Sequence, residues 1–379
     1  ELTGSYLAVG LLGVVEIVPL IIFGLYGGVL ADSVDRKKMV WATEAGALIL
    51  VLVLLGNSLL GSPTTLAIYL VAALFAVVDG LQRPSMDAML PRLVSHEDLP
   101  AASALLSLRW QLGVIVGPTI GGIIFSTMSV SAGYVVDIAT YLLSLLFLAR
   151  VRSIPPSKEA EKPSLAALLD GVKYAFRRQD LLGTYIIDLA AMTLAMPMAL
   201  YPFWADELNA PWALGMFYAA ITVGSVIVTL TSGWTRTYRF HGRAVILAAM
   251  GWGLAIAAAG LSNSLILVLL FLTIAGASDM VSALFRGNIW NQTIPDTLRG
   301  RLAGIELLSY SVGPLAGQLR AASMAAATTL SISVTSGGLM CVVVVALLAI
   351  FLPKMWKYDV ETNEFAVRER EIRKNREIS

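Results

Sequence analysis

Carboxylate and guanidinium side chains stand inside long apolar stretches of this sequence, where an ionised group is costly to keep. A buried carboxylate can lose its charge by binding a proton, because desolvation disfavours the ionised form. These residue types therefore predict proton exchange coupled to the movement of a solute. The positions that could carry protons or contact a substrate are Glu16, Asp79, Arg83, Asp188, Met192, Asp279 and Glu306.

Each candidate in the first half has a structural interpretation beside the functional one. Asp79, Arg83 and Asp87 are spaced by four residues, so they suit an ion ladder along one helix face as well as a proton site. Glu16 has no base within one helical turn, which fits either a proton carrier or a neutral acid bonded to another helix. Glu306 belongs to the second half and lies near a span end, where structural ion pairs are common.

The other second-half candidates lie deeper in their apolar stretches. Asp188 shares a helix face with Met192 and Met196. Methionine surfaces adapt to varied ligands, but they also form ordinary core, so both interpretations stay open. Asp279 and Arg286 lie seven residues apart on one helix face. That spacing predicts that they pair through a neighbouring residue.

The stretches that hold these residues have the composition of membrane spans. Of 379 residues, 57% are hydrophobic and 14% are charged, whereas soluble domains average about 25% charged residues. Runs of roughly 20 apolar residues can cross about 30 Å of hydrocarbon, and they must be helical because the bilayer core offers no water to the backbone. We predict eleven spans, at 5–31, 39–60, 65–88, 104–126, 130–150, 181–204, 212–234, 244–261, 264–290, 302–322 and 331–353.

The connections between these spans alternate in charge. Basic connections, among them 35–38 and 235–243, alternate with connections that hold almost no Lys or Arg, and Arg320 is the one base near the segment 320–330. The positive-inside rule assigns the basic set to the cytoplasm. We therefore predict a multi-pass protein with a cytoplasmic C-terminus.

A long polar segment divides the chain into parts. We predict an N-terminal bundle at 1–150, a cytoplasmic linker with an amphipathic helix at 151–180, a C-terminal bundle at 181–353 and a charged cytoplasmic tail at 354–379, which is solvated or a frayed helix. The two bundles resemble each other weakly, as two similar halves of a transporter do. Aligning them predicts one more helix before residue 1; a chain of eleven spans with the same orientation is the alternative.

The stretch "GGVLADSVDRKK" at 27–38 resembles motif A of the major facilitator superfamily. The resemblance rests on Gly28, Asp32, Arg36 and Lys37, and the stretch departs from the motif at Ser33 and Asp35. A carboxylate at a helix C-terminus faces the negative end of the dipole and needs a cation, which Arg36 could supply to Asp32. The resemblance implies a latch between the two bundles; anchoring to lipid phosphates is the alternative.

The stretch "GVIVGPTIGG" at 113–122 resembles motif C, which is associated with exporters and antiporters of that superfamily. Small residues on one helix face allow close contact with a neighbouring helix, and a proline removes a backbone donor and favours a kink. Ordinary tight packing is the alternative to a hinge. The residues of the motif are Gly113, Gly117, Pro118, Gly121 and Gly122.

With "RLVSHEDLPAASAL", "VVDIATYLLSLL" and "LRGRLAGI", the chain is similar to the siderophore-exporter and multidrug efflux branch of the superfamily. The resemblance implies an all-α major facilitator fold of two six-helix bundles, with helix 1 missing here. It also implies a bacterial inner-membrane antiporter that exports a siderophore or an amphipathic drug-like compound by alternating access, in exchange for protons. An uptake symporter or uniporter, and a membrane scaffold or sensor, are the alternatives.

Several function classes find no support in the sequence. It has no nucleotide-binding GxxxxGK[ST] pattern, and its single cysteine, Cys341, allows no thiolate metal site or disulfide framework. A net charge of +1 does not suit a nucleic-acid partner. We therefore expect a monomer that is not an enzyme, binds no cofactor or metal, and has protons, a small molecule and the lipid bilayer as its partners.

Overall fold

The computed structural model describes residues 3–93, 127–155 and 173–378, together with scattered positions between 105 and 124. Regular structure in this part of the chain is helical throughout, without strands. The chain divides into two compact units, Glu1–Pro163 and Ser164–Ser379. Each unit is built from helices that pack side by side.

The first unit contains four described helices. They are α1 (Tyr6–Ser33), α2 (Arg36–Ser58), α3 (Thr65–Leu93) and α4 (Val130–Arg150). α3 packs against α1 and α2, and α2 also packs against α4. The α1–α3 contact brings two backbones together, since a Cβ added at Gly80 would stand 2.7 Å from the amide nitrogen of Gly24. Small residues allow such close approach between membrane helices.

The second unit contains nine described helices. α8 packs against α9 and α11, α9 packs against α7, and α10 packs against α5. The helices are α5 (Gln179–Ala195), α6 (Tyr201–Glu207), α7 (Leu214–Leu230), α8 (His241–Gly260), α9 (Leu265–Thr293), α10 (Asp296–Ala327), α11 (Leu330–Phe351), α12 (Pro353–Trp356) and α13 (Glu364–Ile378).

Nine segments of the described chain are helical, long and apolar enough to cross a membrane. The predicted span 104–126 lies largely outside the described residues. The predicted span 302–322 lies within α10, which is not one of the nine. The count of eleven spans and the additional helix before residue 1 therefore stay predictions.

The predicted span 181–204 is interrupted. α5 ends at Ala195, and Met196 takes an extended conformation with φ −97° and ψ 103°. The cause is Pro197, because the residue before a proline is pushed out of the helical region. A 3₁₀ turn at Met198–Leu200 then leads into α6.

The connection predicted near 320–330 is shorter than expected. α10 continues to Ala327 and α11 begins at Leu330, so Arg320 lies inside a helix. Its guanidinium donates to the carbonyl oxygen of Ser333 across 3.2 Å. Arg320 therefore lies in α10, and its partner is a carbonyl oxygen in the first turn of α11.

The tail, predicted to be solvated or a frayed helix, packs its first half against the second unit. Met355 and Tyr358 are buried, and a Cβ added at Gly183 of α5 would stand 2.8 Å from Met355 Cγ. Tyr358 stacks on His241 at the start of α8, with ring centroids 5.9 Å apart. The buried apolar side chains of the tail (residues 353–378) are separated by many charged residues. No clear pattern in the sequence therefore predicts the packing of the tail against the second unit.

Candidate ion-coupling site

The second unit holds an ion pair between two of its long helices. Asp188 of α5 contacts Nη1 of Arg286 of α9, and both side chains are almost fully buried, with 6% and 8% of their surface exposed. Burying an unpaired charge costs several kcal/mol of desolvation free energy, so a buried charged side chain needs a partner of opposite charge. Asp188 and Arg286 therefore depend on each other.

A second carboxylate stands on the other side of the same guanidinium. Oδ1 of Asp279 lies 4.0 Å from Nη2 of Arg286, and 35% of the Asp279 side chain is exposed. The spacing on α9 predicted that Asp279 and Arg286 pair through a neighbouring residue; the contact between them is direct, and Asp188 from α5 is a second partner of Arg286. We call Asp188, Arg286 and Asp279 the acid–arginine triad.

The charges of the triad do not balance when both acids are ionised. Two carboxylates then share one guanidinium, which leaves one excess negative charge in a region of low dielectric. Binding one proton removes that excess, because a like charge nearby disfavours the ionised form of an acid. Asp279 is the member suited to bind it, since it is farther from Arg286 and more exposed than Asp188.

One helical turn from Asp188 and Arg286, α5 and α9 are joined by further side-chain contacts. Trp290 donates from Nε1 to Oγ1 of Thr184 across 2.8 Å, and its ring stacks on Tyr185 with centroids 5.5 Å apart. Trp290 follows Arg286 by one helical turn, and Thr184 precedes Asp188 by one turn. These residues fix the register in which the two helices present their charges. Sequence reasoning missed them, since neither aromatic ring is unusual in a membrane span.

Met192 has a packing role in this structure. It is buried, and a Cβ added at Gly313 of α10 would stand 3.0 Å from the Cβ of Met192. At Gly317, an added Cβ would stand 2.8 Å from the Cβ of Met196. The methionine stripe beside Asp188 thus lies against the glycine face of α10.

The first unit carries a more open set of charges. Nε of Arg83 lies 4.0 Å from Oδ1 of Asp79 on the same helix, and these side chains are 32% and 51% exposed. The pairing follows the spacing of four residues. Gln82 of α3 donates to Oε1 of Glu44 on α2 across 3.0 Å, a contact that sequence reasoning did not foresee. Asp87 has a side chain outside the described residues.

The described structure shows no contact of Glu16 or Glu306 with the acid–arginine triad or with the Asp79–Arg83 pair. Glu16 is half-buried in α1, three residues before Pro19, and the described part of the chain gives it no hydrogen-bond or ion-pair partner. The side chain of Glu306 lies outside the described residues. Their roles as proton carriers stay predictions.

Comparison with known proteins identifies the family. The profile of the transmembrane secretion effector family matches residues 1–376. The enterobactin exporter EntS of Shigella boydii is 30% identical over 336 residues, which are 88% of this chain and 80% of the relative. EntS of Escherichia coli O81 is 29% identical over the same shares.

The chain belongs to the transmembrane secretion effector family of the major facilitator superfamily.

Solved structures of the superfamily share the fold. The nucleoside transporter NupG aligns with 95% of this chain and 92% of its own, with a TM-score of 0.71 and 14% identity. The human organic anion transporter MFSD10 aligns with 90% of this chain and 83% of its own, with a TM-score of 0.62 and 15% identity. The relatives in this superfamily are transporters and not enzymes, so the chain is a membrane transporter.

The stretch that resembles motif A is anchored at the start of α2. Asp35 caps α2 by accepting from the amide nitrogens of Lys37 and Lys38 at 2.9 and 3.3 Å, and it also accepts from the Ser153 hydroxyl and the Ile154 amide. Burial alone would raise the pKa of Asp35, but these hydrogen bonds outweigh it and hold the pKa below its usual value. Asp35, which replaces the glycine usual in the motif, thus joins the start of α2 to the residues after α4.

Arg36 and Lys37 bind the end of α4 and the residues after it, Arg36 through its backbone amide and Lys37 through its side chain. Arg36 is buried and its amide donates to the Ile154 carbonyl across 3.1 Å. Nζ of Lys37 donates to the carbonyl oxygen of Ala149 across 2.9 Å, a favourable place for a cation because Ala149 lies in the last turn of α4. The side chain of Asp32 and the surroundings of Gly28 lie outside the described residues, so the latch between bundles stays a prediction.

Motif C is described only at scattered positions. Gly113, Gly117, Gly121 and Gly122 have helical backbone, and Gly122 is buried. Pro118 lies outside the described residues. The kink and the hinge predicted for this motif therefore stay predictions.

Proposed function

We propose that this transporter exports enterobactin, or a siderophore of its kind, in exchange for protons. The observation that carries the proposal is the sharing of Arg286 by Asp188 and Asp279. A guanidinium between two acids gives a site with a charge that changes when one proton binds, which is the property that coupling requires. The substrate class follows from the relatives named as enterobactin exporters.

In the proposed cycle, a proton from the outer side binds Asp279 while the substrate leaves. Protonation removes the competition for Arg286, which then pairs with Asp188 alone. When the proton departs to the cytoplasm, the ionised Asp279 again competes with Asp188 for the guanidinium, which weakens the pairing of α5 with α9. Alternating access about a central cavity converts this exchange into outward transport. Glu16 and the half-exposed Asp79 are further proton carriers in the first unit, and motif A is the cytoplasmic latch.

The proposed setting is the bacterial inner membrane. The monomer spans the bilayer with its basic connections and its C-terminus in the cytoplasm, in accord with the positive-inside rule. The proton gradient across that membrane then points inward, so proton entry drives an outgoing solute.

Everted membrane vesicles test this function directly. Respiration acidifies the vesicle interior, which corresponds to the periplasm. Adding enterobactin outside should dissipate part of the preformed pH gradient in vesicles that hold the wild-type protein. Asp279→Asn should abolish that response, because the amide cannot exchange a proton.

The matched control is Asp206→Asn, an exposed acid at the end of α6, which should keep the wild-type response. A preformed gradient that no siderophore or amphipathic drug dissipates would sink the proton-exchange proposal. Accumulation that needs an outside-acid gradient would show an uptake symporter instead. A protein that moves no solute under any gradient would be a scaffold or sensor.

A further inference from the structure

Arg178, just before α5, joins three separate segments of the second unit. Its guanidinium binds both carboxylate oxygens of Asp180, at 3.2 and 2.7 Å. It also donates to the Tyr174 hydroxyl and to the carbonyl oxygen of Thr293, each across 2.9 Å. Thr293 is the last residue of α9, where free carbonyl groups attract a cation. Burial alone would lower the pKa of Arg178, but its bonds to Asp180 raise it, so the group stays charged.

The tail closes over this arginine. The guanidinium carbon of Arg178 lies 3.7 Å from the ring centre of Phe365, a cation–π contact. Asn363 donates from Nδ2 to Asp180 across 3.3 Å. The Oδ1 atom of Asn363 accepts from the amides of Phe365 and Ala366, at 3.0 and 3.1 Å. One asparagine thus caps α13 and binds the start of α5.

The arginine is the outermost of three contacts in series between α5 and α9. Arg178 binds Thr293 first, Thr184 binds Trp290 next, and Asp188 binds Arg286 last. The first step spans six residues from Arg178 to Thr184 and three residues on α9, and the second spans four residues, about one turn, on each helix. Since helices resist axial stretching, a shift at the outer contact is carried to the acid–arginine triad.

We propose that Arg178, held by Asn363 and Phe365 of the tail, is a positioning residue for the acid–arginine triad. It sets the register of α5 against α9 and so the distance between Arg286 and its two acids. The inference rests on the proposed proton exchange and adds a role for the C-terminal tail. Removing the tail contacts loosens Arg286, and Asp279 then binds its proton more tightly, because a nearby cation favours the ionised acid.

Other titratable groups on helices packed against α9 engage other partners. On α8, His241 lies against the Tyr358 and Phe285 rings, and Arg243 lies over Phe240. On α7, Tyr218 packs edge-on to Tyr201. At the Arg286 guanidinium, Asp188 of α5 is the acid that stands opposite Asp279.

Asn363→Asp is the sharpest variant, because it keeps the oxygen that caps α13 and replaces the donor to Asp180 by a second acid. Phe365→Leu removes the ring from Arg178 and keeps an apolar side chain. Arg370→Gln is the matched control, since Arg370 donates within the tail to the carbonyl oxygen of Val360. The measurement is the pH midpoint of enterobactin-driven proton release in everted vesicles, with thermal unfolding recorded in parallel.

Asn363→Asp and Phe365→Leu should raise the pH midpoint by about 0.5 unit, which is about a threefold increase in proton affinity, and Arg370→Gln should leave it unchanged. Wild-type midpoints in both tail variants would overturn the inference, whatever happens to thermal stability. Asp279→Asn separates this failure from a failure of the proposed function. If that variant keeps the wild-type pH response, proton exchange at the triad is wrong; if it loses the response while the tail variants are normal, only the positioning role is wrong.

Discussion

Replacing Arg286 by methionine should strongly destabilise the protein. The change removes the partner of Asp188, whose side chain is 6% exposed, and leaves a buried acid without compensation. Breaking a buried ion pair from one side costs about 3–5 kcal/mol. At about 2–4 °C per kcal/mol for a unit of this size, the expected drop in Tm is about 6–20 °C.

Replacing both partners should recover most of that loss. In the variant Asp188→Leu with Arg286→Met, apolar groups of similar volume fill the site and no charge is stranded. Such replacements are often neutral or stabilising, so we expect a Tm within about 4 °C of the wild type. The same variant should export no substrate, because the proton site has lost its cation.

Thermal unfolding of the purified protein in detergent measures both effects. Arg83→Met is the control, since the Asp79–Arg83 pair is 51% and 32% exposed, and exposed pairs contribute about 1 kcal/mol or less. Equal Tm losses in the single variant Arg286→Met and in the double variant would refute the reasoning. That result would mean that Asp188 and Arg286 do not depend on each other.

Two further predictions concern packing and capping. Gly317→Ala should destabilise the protein by about 1–3 kcal/mol, because its Cβ would overlap the Met192 carbonyl oxygen, whereas Gly287→Ala, with open space around it, should be neutral in thermal unfolding. Asp35→Ala should lower stability by about 1 kcal/mol at neutral pH through loss of the cap on α2. Because the folded pKa of Asp35 is lowered, its contribution is present above the unfolded pKa of about 3.9 and is lost as the pH falls through the folded value. Unfolding curves of wild type and Asp35→Ala should therefore converge in acid, and a gap that widens there would contradict the assignment.

The class of the fold could be predicted from the sequence, because the thickness and apolar character of the bilayer determine the length and composition of the segments that cross it. Fifty-seven per cent hydrophobic residues and repeated apolar runs leave helices as the solution. Pro197 in the sequence could have predicted the break in the span 181–204, because a proline disfavours helical backbone at the residue before it. The docking of the tail was missed because its buried apolar residues, Met355, Tyr358 and Ala366, are scattered among many charged residues.

The site could be predicted only in part. The positions of Asp188, Asp279 and Arg286 inside spans marked them as candidates, but the spacing on α9 predicted a pair formed through a neighbour, whereas Asp279 contacts Arg286 directly and the neighbour is a second partner of Arg286. Which helix supplies that neighbour depends on the packing of α5 against α9, which no spacing within one helix encodes. The contacts of Arg178 with Thr293 and Phe365 join residues far apart in sequence, so they too required the folded structure.

Substrate accumulation under an imposed gradient tests the central claim most directly. Everted vesicles that contain the wild-type protein, with no ATP and no respiration, are given an acid interior and labelled enterobactin outside. The account predicts accumulation that stops when a proton ionophore collapses the gradient and that is absent in Asp279→Asn. Equal accumulation with and without the gradient, or wild-type accumulation in Asp279→Asn, would contradict it.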